Sequence, residues 1–259
     1  MVVLNWNFEA QKFRVLLRDN SLSSIKVFFT VLGGMAISNF TPARSGEYIG
    51  RSLLLGRVHP VKVVMATVTG NLAQVTMTYF LGLISFIFVQ MCFDFNVGWM
   101  SNTQSLLMIS ICALLFVFLI FSKRIIRYTL KKLPPKVRVF FRFIRHYNYP
   151  LFTEVLLLSF LRYLVFSVQL FLLFQFFSNF SLSWSAFGLI PIGFLLQSIV
   201  PVPAVSDIGI RVAVFTSLFH GLLSEAEIIL SVTSLWLINL IIPGITGSLY
   251  LIGSNFNKA

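Results

Sequence analysis

Acidic side chains are scarce in this chain: eight Asp and Glu stand against twenty Lys and Arg in 259 residues, and charged residues of both signs make up only 11%. Water-soluble domains carry roughly a quarter of their residues as charges, so a soluble fold is excluded. Cysteine is nearly absent. Cys92 and Cys112 stand at the end of one apolar run and inside the next, which leaves no disulfide framework and no Cys-based metal site. The three histidines, His59, His146 and His220, are isolated. No His-Glu-x-x-His pair, Gly-rich phosphate loop or nucleophile elbow is present, so no enzyme, metal or cofactor is expected.

Apolar length is abundant. Hydrophobic residues reach 57% and the mean hydropathy is +0.88. Residues 63–93, 97–122, 163–206 and 228–257 are free of charge, and each run exceeds the roughly 20 apolar residues that cross a bilayer. The expected fold class is therefore all-α, a polytopic integral membrane protein. A formal net charge of +12 in a soluble chain would point to nucleic acid. Here the basic clusters fall between apolar runs, so charge reports topology and no nucleic-acid partner is expected.

Nine Lys and Arg lie between Lys123 and Arg145 with no acid among them, which places 123–149 in the cytoplasm as a basic linker lying on anionic inner-leaflet lipids. The run ending at Ser122 then enters the linker from outside, and the loop carrying Asp94, which has no Lys or Arg, is external. After the linker a helix over 150–177 goes out again. An external acidic turn holds Glu225 and Glu227, and a last helix over 228–252 returns. The chain thus reads as one transmembrane domain with a first half, 27–122, and a second half, 150–252.

Two distant segments carry matching punctuation. Pro42-Ala43-Arg44-Ser45-Gly46-Glu47 with Arg51, and Pro203-Ala204-Val205-Ser206-Asp207 with Arg211, each place Pro-Ala-x-Ser before an acid and then an Arg four residues on. Residues four apart share a helical face, and Pro breaks the preceding helix. The stretch 27–41 is flanked by basic residues on both sides, Lys12, Arg14, Arg18 and Lys26 before it and Arg51, Arg57 and Lys62 after, and Gly33-Gly34 interrupts it. Residues 27–55 therefore read as a hairpin entering from the cytoplasm, and 184–219 as one entering from outside. Broken helices at matching places in two halves point to inverted repeats around a midplane site. Pro-kinked full spans are the alternative.

Asn39 to Leu55, above all Pro42 to Glu47 with Arg51, resembles the first signature of the lysylphosphatidylglycerol synthase transmembrane-region family, a flippase-like domain, and Pro201 to Arg211 is similar to its second. The resemblance implies a multi-pass protein of the bacterial inner membrane that binds or translocates a phospholipid or polyprenyl-linked lipid. Its partners would be membrane lipids. No further hydrophobic helix is read before Val27, so an N-terminally shortened form is expected. The alternative function is an integral-membrane lipid-modifying enzyme or an accessory subunit of one.

Ionisable residues in apolar surroundings read as functional by default, with ion-pair clamps as the structural alternative. Arg44, Arg51 and Arg211 suit bidentate phosphate contacts, with Glu47 and Asp207 orienting them. Thr67, Asn71, Gln74, Thr78 and Ser85, with Gly70 and Gly82, fall on one helical stripe, which serves either helix packing or a cavity. Asn71 and Gln74 are its candidate cavity members. Arg162 lies roughly eleven residues into its helix, near mid-bilayer, and binds a head group or pairs with Asp207 or Glu154. Gln197 and Asn239 are further polar residues in apolar runs.

Overall fold

The computed structural model describes residues 1–19, 21–39, 41, 45–56, 58–93, 149–199 and 207–256. The basic linker, the run 97–122, Arg44 and the Pro-rich stretch 201–206 lie outside them. Helices account for nearly all of the described residues: α1 (Val2–Leu17), α2 (Ser24–Ser38), α3 (Gly46–Leu54), α4 (Pro60–Phe93), α5 (Tyr149–Phe177), α6 (Leu189–Ser198), α7 (Asp207–Leu218), α8 (Glu225–Trp236) and α9 (Ile242–Phe256). Stretches Pro60–Gln90, Pro150–Phe177 and Glu225–Gly253 are each long and apolar enough to cross a membrane. The protein is therefore an all-helical membrane protein.

Local chemistry sets the helix ends. Ser23 caps α2 by accepting from the Lys26 N–H (3.3 Å), and Pro60 occupies the first turn of α4, where a missing N–H is harmless. Between α1 and α2, Asp19 accepts from the Ser21 hydroxyl (2.6 Å) and N–H (3.0 Å). Those two bonds hold its carboxyl below the usual carboxylate range. Glu225 and Glu227, expected in an external turn, instead form the first turn of α8: Ser224 and Glu227 close a capping box, and carboxylates favour a helix N-terminus. A π-helical segment, Leu237–Ile241, joins α8 to α9. Pro243 has no N–H to offer the Asn239 carbonyl, which loosens the helix there.

The largest departure from expectation is the N-terminus. Residues before Val27 read as a charged cytoplasmic flank, yet α1 is a helix whose Asn5, Trp6, Glu9, Lys12, Phe13 and Leu16 are buried. Their spacing puts them on one face. Hydropathy averages miss such a helix because its charges neutralise one another inside the protein.

Helix order repeats. A leading helix, a two-armed hairpin and a long helix occur as α1, α2–α3, α4 and again as α5, α6–α7, α8–α9. The first arm of each hairpin packs on the long helix that follows the other hairpin, α2 on α9 and α6 on α4. Each second arm packs on the long helix after its own, α3 on α4 and α7 on α8, and α1 packs on α5. Two apolar clusters result, one around Phe13, Leu17, Val31 and Val63, the other around Phe171, Phe174, Ile190 and Phe215.

Lipid tails are as apolar as leucine, so close packing rather than exclusion of water holds such helices together. Gly33-Gly34 serves that purpose: a Cβ on Gly50 would lie 2.9 Å from the Gly34 Cα, so α2 and α3 touch backbone to backbone. At Gly247 an added Cβ would overlap the Leu32 carbonyl on α2, whereas nothing lies within 4 Å of one on Gly253. Gly247→Ala is expected to lower the unfolding temperature in detergent by several degrees, at about 1–3 kcal/mol for overpacking. Gly253→Ala should leave it unchanged. Equal unfolding temperatures for the two variants would show that α2 and α9 are not in such close contact.

Candidate functional site

Because Gly34 has no side chain, Arg51 runs beneath α2, its Cγ only 2.7 Å from where a Gly34 Cβ would stand. It pairs with Glu47 one turn earlier on α3, with Glu9 on α1 (3.2 Å), and its guanidinium lies over the Phe13 ring (4.6 Å). Glu9 is the hub: it also receives Lys12 (2.7 Å) and Arg162 (2.6 Å), and is only 2% exposed. Arg162 donates to Asn5 Oδ1 (3.0 Å) and lies beside the rings of Trp6 and Phe166. Asn5 donates to Asn239 Oδ1 (3.1 Å), and Asn239 donates to Gln169 Oε1 (3.1 Å). At the other end Asn71 on α4 donates to Glu47 Oε2 (3.3 Å). One polar chain therefore crosses the bundle from Gln169 to Asn71, and the π segment carries one of its links. Buried polar groups of this kind need partners, and these helices supply them to one another.

Beside this chain lies a cavity of about 410 Å³, within the range of ligand pockets. Glu47, Asn71, Gln74, Arg162, Asp207 and Arg211 all line it, as do Gln197 and Asn239. Residues from both hairpins thus meet at one place. Arg51 does not line it; it stands behind Glu47. On the far side Arg211 donates to Asp207 Oδ2 through Nε (2.8 Å) and Nη2 (2.5 Å).

Arg162 meets a carboxylate that the sequence does not suggest. Glu154 is exposed, and the carboxylate that Arg162 meets is Glu9, 153 residues away. Glu9, Asn5, Trp6 and Lys12 are the site residues that the sequence reading passes over. A signal was available: Asn5–Glu9 at i, i+4 and Glu9–Lys12 at i, i+3 share one face, and Glu9 is one of only eight acids.

The polar stripe on α4 divides. Asn71, Gln74 and Thr78 line the cavity. Thr67 bonds its own Val63 carbonyl (2.9 Å), and Ser85 donates to the Gly188 carbonyl (2.5 Å). Gly70 makes room for Lys12, and Gly82 for Leu195. Packing and cavity are thus served by the same face.

Charge decides what the cavity suits. Arg162 and Arg211 line the cavity with the carboxylates of Glu9, Glu47 and Asp207, and Lys12 and Arg51 pair with those carboxylates from outside the lining, so the network as a whole has four cations to three anions among the described residues. An excess positive charge in a low-dielectric interior is costly unless an anion joins it. Trp6 Nε1, Gln74 Oε1 and Gln197 Oε1 are buried polar atoms of lining residues without a hydrogen-bond partner among the described residues. A polar ligand would satisfy them. Among the described residues no three His, Cys, Asp or Glu side chains group as a metal site. No family model, curated protein or solved structure matches the chain.

Proposed function

We propose that this is a flippase-like integral membrane protein of the bacterial inner membrane, which binds or translocates an anionic or lipid-linked substrate through the cavity between its two halves. The observation that carries this reading is the meeting of Glu47 from one hairpin with Asp207 and Arg211 from the other around a cavity whose wall holds two guanidiniums, Arg162 and Arg211, inside a wider ion network of four cations and three anions among the described residues. Arg162 and Arg211 are the phosphate-binding groups, since both line the cavity, and Arg geometry suits bidentate contact with phosphate oxygens. Glu9 and Arg51 hold Arg162 and Glu47 in place. Gln74 and Gln197 receive hydroxyl or amine donors of the head group. The likeness of the two motifs to the lysylphosphatidylglycerol synthase transmembrane region agrees with this assignment.

The hairpins are re-entrant and the halves are inverted repeats in this reading. Support comes from the reciprocal packing of α2 on α9 and α6 on α4, the exchange that a two-fold relation between halves produces. Protein extracted from its membrane is expected to retain anionic lipids enriched over the bulk composition, as read by mass spectrometry of the purified sample. A retained lipid fraction with the bulk composition would oppose the reading.

Orientation has its own test. In a background lacking Cys92 and Cys112, Ser224→Cys is expected to react with an impermeant thiol reagent from outside, while Lys136→Cys does not. Labelling of position 136 from the periplasm would overturn the orientation and the inverted repeat together.

A further inference from the structure

We infer that the cavity opens sideways into the bilayer past Val75, and that its ligand is a lipid whose head group enters while its acyl chains stay outside; this rests on the lipid reading above. Among the described lining residues only Val75 and Ser198 are exposed. Helices α4 and α6 run antiparallel, since Ser85 meets Gly188 and Gly82 faces Leu195. Two turns earlier on α4, Val75 comes level with Ser198.

Val75 is 46% exposed and stands at the centre of the span Pro60–Gln90. At that depth the surroundings are hydrocarbon. On the α4 wheel it lies at the boundary between the cavity face of Asn71 and Thr78 and the outward face of Leu72, which is 49% exposed. Ser198 asks nothing of water at this rim, because its hydroxyl donates to the Leu195 carbonyl (2.7 Å). The mouth is therefore apolar, while the floor carries Arg162 and Arg211. A polar floor behind an apolar mouth fits an amphiphile.

The test compares wild type, Val75→Trp and Leu72→Trp in nanodiscs of neutral lipid, each first shown to be monodisperse. Binding of dioleoylphosphatidylglycerol and of soluble glycerol 3-phosphate is measured for each. Val75→Trp is expected to weaken binding of the two-chained lipid at least about tenfold, some 1.4 kcal/mol, while glycerol 3-phosphate binding is unchanged. Leu72→Trp should alter neither. If Val75→Trp leaves lipid binding intact, or weakens both probes equally, the portal is refuted while the lipid reading stands. Should wild type bind glycerol 3-phosphate but not the lipid, the lipid reading fails and the portal fails with it.

Discussion

Glu9→Gln is expected to abolish accumulation of folded protein. The carboxylate is shared by Lys12, Arg51 and Arg162 at 2.7, 3.2 and 2.6 Å. Glutamine keeps the shape and removes the charge, which leaves Lys12 and Arg162 without the carboxylate they share and raises the excess of the whole ion network from one positive charge to two. Breaking a buried ion pair by removing one partner costs about 3–5 kcal/mol, a large part of the about 5–15 kcal/mol by which folded proteins are stable. The double variant Glu9→Gln with Lys12→Met should recover folded protein, because it restores the charge balance while keeping α1 apolar where Lys12 packs against Gly70. Monodisperse yield and thermal unfolding in detergent read both outcomes. A Glu9→Gln protein as stable as wild type would mean that the network does not hold α1 in the bundle.

Arg211→Ala carries the second large effect, on binding. Asp207 and Arg211 are 13% and 17% exposed at their side chains and lie on the cavity wall. The Asp207 carboxylate, no longer offset by Arg211, turns the local field against an anion, so lipid binding is expected to be lost, along with some stability. The double variant Asp207→Ala with Arg211→Ala removes both charges. It should regain expression and unfolding temperature but not binding, because the head group still lacks its cation. Full recovery of both would make the second motif a structural clamp.

Much of the fold is legible in the sequence because apolar length is a direct signal: α4 ends with its uncharged run, 63–93, and begins three residues before it, and α5 follows the apolar stretch expected over 150–177. In sequence, Pro42 falls between α2 and α3, and Pro201 and Pro203 fall between α6 and α7. Of the site, Glu47, Asn71, Gln74, Asp207 and Arg211 were legible because each sits at helical spacing from another candidate, and local spacing survives folding. Partners across the bundle do not announce themselves. Arg162 reaches Glu9 over 153 residues and Arg51 reaches it over 42, and nothing in either local sequence points to α1. The helix itself was hidden for the same reason. Glu9 and Lys12 read as surface charge until Arg51 and Arg162 are brought to them, and only the packing of α1 on α5 does so. In sequence Gly33 and Gly34 look like a flaw in a span, whereas their role is to let α3 approach α2 closely enough for Arg51 to reach inward.

The central claim is that one cavity, built by both halves, holds the head group of a membrane lipid. A structure determined by electron microscopy in nanodiscs containing anionic phospholipid tests it most directly. The account predicts density for a phosphate within hydrogen-bond distance, about 2.7–3.2 Å, of both Arg162 and Arg211, with acyl chains leading out past Val75. Lipid found only along the outward faces of α4, α5 and α8, with no head group between Arg162 and Arg211, would contradict it.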